Sequence, residues 1–367
     1  MNHESVIASD RSTQQSSTKL PSDTASSLPT QSRSELQVGL SACLAGQPVR
    51  YNGGHSQSRL CLNLLSQHFH FRTFCPEVAA GFGTPRPTLR LIGDPENPQL
   101  AYSSAKKSAS PLDNNSPSQS HPDEDLTRQL TEGFKEKLEE FHDLDGYILM
   151  KNSPSCGLER VKVYQSNGYP HRERAQGLFA HALQQRYPLM PIEEEGRLHD
   201  AKLFENFVLR LYAYHNFRKE VLSNPSMGNL IAFHSSYKYI LMAHHQPSYK
   251  SLGRLLGYQQ TPKTESETRA VIDEYFPMFM QALSKPANKK NHTNTLYHIL
   301  GYLKKTVPST ARQNIVDIIT HYQQGVVPLI TPLTLLKHYI DQYGSDYIRK
   351  QRYLQPYPYS LGCANRL

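Results

Sequence analysis

The chain has 367 residues and carries 40 Lys+Arg against 32 Asp+Glu, a formal net charge of +8. A length of this order suits two domains of about 100 to 200 residues each, and a hydrophobic fraction of 38% with a mean hydropathy of -0.59 points to polar, unfolded stretches diluting an ordinary core. No window approaches the length of a membrane span, and the N-terminus lacks the apolar region of a secretory signal, so both are excluded and a cytoplasmic protein is expected.

Residues 1–34 hold 14 Ser or Thr and hardly any large apolar side chain, which predicts a disordered tail. Residues 37–42 form a short apolar run ending at Cys43; residues 58–68 have helical spacing through Leu60, Leu64 and Leu65; residues 71–74 read as a strand ending at Cys75. The low-complexity stretch 103–123 predicts a surface loop or insertion. Beyond it, Leu126, Leu130, Phe134, Leu138 and Phe141 recur at intervals of four and three, an amphipathic helix, and residues 146–150 (GYILM) read as a buried strand with Cys156 just past it. A helix over 172–186 and a short apolar segment, 189–192, complete this part. Strands alternating with helices predict an α/β domain with a parallel, Rossmann-like sheet.

From Leu198 onward the apolar positions follow a 3.6-residue period, so an all-α C-terminal domain is expected over 193–367, after an α/β domain over 35–192. The acidic run 193–195 before Gly196 reads as a hinge between them. Charge divides the same way: residues 200–367 hold 20 Lys+Arg against 10 Asp+Glu, or +10, and residues 1–199 hold 20 against 22, or -2. A basic half of this kind is either a solubilising surface or the footprint of a polyanion-binding module, most commonly for nucleic acid.

Five cysteines, at 43, 61, 75, 156 and 363, are an odd number in a long chain and argue for reduced thiols or metal ligands over a disulfide framework. Cys43, Cys75 and Cys156 share no CxxC spacing, yet each is expected just past the carboxyl end of a different strand, where an open parallel sheet binds its ligands. Three thiolates there can close a zinc site with a fourth ligand, or hold an iron–sulfur cluster with one iron open. The alternative for any one of them is a small buried hydrophobe, and that is the reading for Cys61 and Cys363. Around the three lie SACLAGQPVRYNGGH, FCPEVAAGFGTPRPTLRL and KNSPSCG, which supply Arg50, Glu77, Arg86, Lys151, Ser153 and Ser155. Glu77 has the chemistry of a general acid or base, or is a plain loop carboxylate.

These three blocks resemble the hallmarks of the thiouracil desulfidase family, also known as DUF523, over about residues 35–192. The segments LMAHHQPSYKSLGRLLG, KKNHTNTLYHILGYLKK, GVVPLITPLTLLKHYI and QRYLQPYP are similar to the YbgA-like DUF1722 domain, over about 197–367. The pair in this order resembles the RudS-type, two-domain tRNA 4-thiouridine desulfidases. That resemblance implies a 4Fe-4S cluster held by Cys43, Cys75 and Cys156, catalytic roles for Glu77 and for Ser153 in preference to Ser155, and tRNA as partner. It implies hydrolysis of 4-thiouridine to uridine with release of hydrosulfide.

The basic residues Lys289, Lys290, Lys304 and Lys305 flank a helix whose apolar stripe is Leu296, Ile299, Leu300 and Leu303, and they are the expected phosphate contacts, with a solvated face as the alternative. No protein partner is inferred. Two rival functions remain: a desulfidase for free 2-thiouracil or other thiolated bases, which needs no polyanion clamp, and a non-catalytic iron–sulfur protein that binds nucleic acid or senses redox state, which needs neither Glu77 nor Ser153.

Overall fold

The computed structural model describes residues 36–103, 125–258 and 264–363. The Ser-rich tail expected over 1–34 lies outside them, as does the 103–123 segment beyond its first residue. Eight strands, β1 (Gln37–Ser41), β2 (His70–Phe74), β3 (Leu89–Asp94), β4 (Asn97–Tyr102), β5 (Gly146–Leu149), β6 (Val161–Tyr164), β7 (Pro170–Ala175) and β8 (Ile192–Glu194), form two four-stranded sheets. The first has the order β2-β1-β5-β8 and is parallel throughout. This is the expected α/β sheet, and its central strands are buried on both faces, as parallel strands should be.

Tyr147 and Gly146 show how the two faces of β5 are covered. The Tyr147 ring turns toward Phe141 and Phe179, contributed by the segment following α2 (Leu126–Glu139) and by α3 (Leu178–Arg186). Across the β1–β5 register it faces Gly39, where an added Cβ would lie 2.1 Å from the ring. On the other face, a Cβ at Gly146 would meet Leu211 at 2.1 Å, a residue of α4 (Ala201–Phe217) from the helical half.

The second sheet, β4-β3-β6-β7, pairs two antiparallel hairpins through a parallel β3–β6 contact. No apolar periodicity in the sequence predicts it, and it corrects the helix expected over 172–186. Residues 170–175 are strand β7, turned back on β6 at Asn167-Gly168, where Gly168 takes a φ of +82°; the helix begins only at Leu178. The acidic run is likewise no hinge, because Glu193 and Glu194 belong to β8 and are buried. Glu194 accepts the backbone N–H groups of Leu158 and Glu159, Glu193 accepts from Arg197, and Glu195 accepts from Ser58. Each carboxylate has a donor, which is why charge is tolerated there.

The rest of the chain is helical: α5 (Met227–His244), α6 (Gln246–Tyr258), α7 (Glu265–Leu283), α8 (Lys289–Leu300), α9 (Ser309–Gln324), α10 (Ile330–Tyr343) and α11 (Asp346–Arg349), with the short α1 (Pro76–Ala79) back in the α/β half. At its centre Phe217 stacks on Tyr275, Phe276 and Phe279, with Phe233 edge-on to it. The α/β and helical halves belong to one compact unit. Asp145, 2% exposed, joins them: it accepts from the Gln37 N–H, pairs with His215 and accepts from Arg218, each at 3.0 Å. No helix among the described residues is long and apolar enough to cross a membrane.

Candidate active site

Each of the three cysteines follows a neighbouring strand of the parallel sheet. Cys43 lies in the tight turn after β1, Cys75 is the residue between β2 and α1, and Cys156 ends a loop that leaves β5 through Asn152 in a left-handed conformation, φ 58°. Because β2, β1 and β5 are adjacent, the three thiols arrive at one cavity of about 340 Å³ at the carboxyl edge of the sheet. This is where α/β sheets place ligands. Cys61 and Cys363 are buried and line no part of this cavity, as expected of small apolar fillers.

All six polar residues flagged around the cysteines also line it: Arg50, Glu77, Arg86, Lys151, Ser153 and Ser155. Glu77 stands in the first turn of α1 and is mostly buried, not an exposed loop carboxylate. Its Oε2 is gripped by Arg86 through Nη2 and, at 3.1 Å, through Nε. Arg86 in turn donates from Nη1 to the carbonyls of Gly83 at 2.8 Å and Val49 at 3.0 Å, so both partners are fixed. The other oxygen, Oε1, accepts the Ser155 hydroxyl at 2.6 Å and faces Ser153 Oγ at 3.4 Å.

The two serines therefore differ in kind. Ser153 Oγ accepts the backbone N–H groups of Ser155 and Cys156 at 3.2 and 3.1 Å, bracing the turn that presents Cys156. Ser155, 1% exposed, bridges Glu77 to the cysteine, its Oγ lying 3.7 Å from Cys156 Sγ. Sequence reasoning ranks Ser153 first; the shorter contact to Glu77 belongs to Ser155, and no periodicity in SPSCG distinguishes them. Tyr51 and Asn152 also line the cavity, and no motif in the sequence marks them, although an Asn after a buried strand is a common left-handed turn residue.

Burial dominates the thiols. It pushes Cys43 up to about 11, with the neighbouring Cys75 adding to the effect, raises Cys75, and raises Cys156 well above its ordinary range, again reinforced by Cys75. Cys75 thus opposes ionisation of both Cys43 and Cys156. Among the described residues, no three His, Cys, Asp or Glu side chains converge on one ion-sized position.

In the helical half, Lys289 and Lys290 open α8 and Lys304 and Lys305 follow it, all exposed, with the Lys289 ammonium 5.9 Å from the centre of the Tyr322 ring.

A parallel sheet with three thiols and a clamped carboxylate at its carboxyl edge defines an α/β protein with a ligand cavity at its strand ends. Comparison with known families makes the class specific: residues 38–195 match the family described as 2-thiouracil desulfurase, and residues 238–358 match one described as a protein of unknown function, DUF1722. The chain is 32% identical over 158 residues to YbgA of Escherichia coli K12, covering 42% of this chain and 89% of that protein. It is also 32% identical over 120 residues to YbbK of Bacillus subtilis 168, covering 32% of this chain and 71% of that one. The chain belongs to the 2-thiouracil desulfurase family and carries a DUF1722 region after it. Among solved structures it is similar to the [4Fe-4S]-dependent thiouracil desulfidase TudS, with 24% identity, a TM-score of 0.33, and coverage of 45% of this chain and 94% of that one.

Proposed function

We propose that this chain is an iron–sulfur-dependent, non-redox desulfidase that converts 4-thiouridine in tRNA to uridine and releases hydrosulfide. The observation that carries the reading is the meeting, in one cavity, of three thiols from three adjacent strands with a carboxylate held by Arg86 and Ser155. The donor set fits a 4Fe-4S cluster. Three soft sulfur donors are offered, and their burial and mutual repulsion favour ionisation only once a cationic centre is present. When bound through Cys43, Cys75 and Cys156, such a cluster supplies an open iron, a soft Lewis acid suited to a thiocarbonyl sulfur.

The remaining work falls to this chain's own side chains. Glu77 orients a water toward C4 of the base and takes its proton as the new C–O bond forms. Arg86 keeps the carboxylate from rotating away, and the Ser155 hydroxyl on Oε1 relays the proton toward the departing sulfur, beside Cys156. Water supplies the oxygen, sulfur leaves as hydrosulfide, and no electrons are consumed. Ser153 holds the turn and lies within reach of the base.

The tRNA part of the reading rests on the +10 charge of residues 200–367 and on exposed Lys289, Lys290, Lys304 and Lys305, a surface suited to phosphates. The family description itself favours a second reading, free 2-thiouracil as substrate, for which the helical half would be dispensable. Nucleoside mass spectrometry of tRNA incubated with anaerobically reconstituted protein tests the choice. Loss of 4-thiouridine with a matching gain of uridine is expected; turnover of free thiouracil with tRNA left untouched would favour the second reading.

A further inference from the structure

Away from the thiol-lined cavity, the helical half contains a larger, open cavity of about 820 Å³ between α5, α6 and α11. Ile231, His234 and Lys238 line it from one face of α5, at intervals of three and four. From α6 come Tyr249, Lys250, Gly253, Arg254 and Gly257, and from α11 comes Tyr347.

The charge in this cavity is one-sided. Three cations, Lys238, Lys250 and Arg254, line it with no carboxylate among the lining residues. The Lys238 ammonium lies 5.5 Å from the centre of the Tyr239 ring and 6.0 Å from that of Tyr347, and Arg254 contacts only a hydroxyl, Ser251, at 3.5 Å, among the described residues. Positive charge left unneutralised in a concavity attracts an anion. The aromatic surface is also open: Tyr347, 36% exposed, stacks against Tyr302, 40% exposed, with ring centroids 5.7 Å apart.

Gly253 and Gly257 add an independent observation. Glycine is a poor residue inside a helix, and Gly253 sits within α6 on its cavity side, with Gly257 one turn on, in the helix's last turn. At Gly133 of α2 the reason for glycine is packing, since a Cβ there would lie 2.4 Å from Ala80 Cα. At Gly253 and Gly257 a Cβ would meet nothing within 4 Å, so no part of the described protein demands their absence of side chain. Bare helix backbone facing an open, cationic, aromatic cavity is a surface for close approach by a flat ligand.

We propose that this cavity seats one unpaired nucleotide of a bound RNA strand, the base lying between Tyr347 and the Gly253–Gly257 face of α6 and its flanking phosphates on Lys250 and Arg254, with Lys238 beneath. The volume falls within the range of ligand sites, and stacking plus phosphate contact is how single-stranded RNA is held. The proposal rests on the reading of tRNA as substrate, and it places a contact in the helical half separate from the four lysines around α8.

The test uses full-length reconstituted protein and a fluorescent tRNA, with anisotropy followed across a series of salt concentrations. Gly253→Leu places a branched side chain on the cavity face of α6 and is a better helix former, so affinity should fall at least tenfold while the melting temperature is held or rises. Lys250→Ala with Arg254→Ala, both at exposed positions, should lower the slope of log affinity against log salt by about 1.4 to 1.8, at roughly 0.7 to 0.9 for each phosphate no longer neutralised. Tyr347→Leu should weaken binding and Tyr347→Phe should restore it. If the unaltered protein binds no tRNA, the substrate reading fails and the cavity proposal with it. If it binds, and Gly253→Leu and the double variant bind with the same affinity and salt slope, only the cavity proposal falls.

Discussion

Ser155 donates to Glu77 at 2.6 Å from a position 3.7 Å from Cys156, so one hydroxyl joins the carboxylate to the cysteine side of the cavity. Ser153 reaches the same carboxylate oxygen only at 3.4 Å and spends its acceptor capacity on two backbone N–H groups. Glu77→Gln should therefore keep the cluster and lose about 10²- to 10⁴-fold in turnover, the usual contribution of a general acid or base. Ser155→Ala should lose turnover with iron content unchanged, whereas Ser153→Ala should also loosen the Cys156 turn and lower iron occupancy. Iron analysis beside single-turnover rates separates these effects; full activity in both Glu77→Gln and Ser155→Ala would remove the mechanism.

Cofactor identity has its own test. Purified without oxygen, the protein should be brown and carry about four irons, as a thiolate-bound cubane does. Substituting Cys43, Cys75 or Cys156 by Ala should abolish the colour. Cys61→Ala and Cys363→Ala should not, because neither thiol lines the cavity. Zinc in place of iron in freshly prepared protein would return the site to the closed structural class.

Asp145 ties the first sheet to α4 through three partners while almost fully buried. Removing this carboxylate takes the acceptor from the Gln37 N–H and from His215, while Arg218 keeps the carbonyls of His142, Asp143 and Leu144, at a cost of about 1 to 3 kcal/mol. Asp145→Ala should lower the urea midpoint accordingly. Arg218→Ala should cost less, since Arg218 is partly exposed and its loss leaves Asp145 with the Gln37 N–H and His215. Equal effects of the two would show that the carboxylate is not the centre of the joint.

Much of the site was legible in the sequence because its signals are local. Cys43 and Cys75 directly follow short apolar runs, and Gly146–Leu149 is buried on both faces, so it reads as an uninterrupted apolar strand. What was missed depends on contacts distant in sequence. β7 is a polar edge strand with neither face well buried, so no period-two pattern marks it, and only its Asn167-Gly168 turn betrays the hairpin. Glu194 looked like part of a solvated hinge because its donors, Leu158 and Glu159, lie some 36 residues away and meet it only after the sheet forms.

Glu205 makes stability depend on pH. Complete burial pushes its carboxyl up to about 7 from an ordinary 4.5, even though Tyr357 donates to it at 3.1 Å and works in the opposite direction. A raised carboxyl favours the folded state while protonated. Its contribution is fully present below pH 4.5 and is lost as pH climbs to about 7, where the folded form must also ionise. Glu205→Gln keeps an acceptor for Tyr357 but cannot ionise. Its melting temperature relative to the unaltered protein should rise across that window and level off above it; a constant difference from pH 4.5 to 8 would mean that burial does not raise this carboxyl above its ordinary range.

Phosphate binding by the basic face around α8 should show in the salt dependence of tRNA affinity. Residues 200–367 carry 20 Lys+Arg against 10 Asp+Glu, and Lys289, Lys290, Lys304 and Lys305 are exposed at the two ends of one helix. A lysine that contacts a phosphate displaces a condensed counterion, so binding weakens linearly in log salt with a slope set by the number of contacts. Replacing all four by Ala should flatten that slope by about 3, at roughly 0.7 to 0.9 per contact, and should weaken tRNA binding most at low salt. The substitutions lie on the surface, and the apolar stripe of Leu296, Ile299, Leu300 and Leu303 remains buried beneath them, so circular dichroism and iron content should stay unchanged. A uniform loss of affinity with the slope preserved would point to damage in the fold. Unchanged affinity and slope together would make this face a solubilising surface and direct the search for RNA contacts to the cavity between α5, α6 and α11.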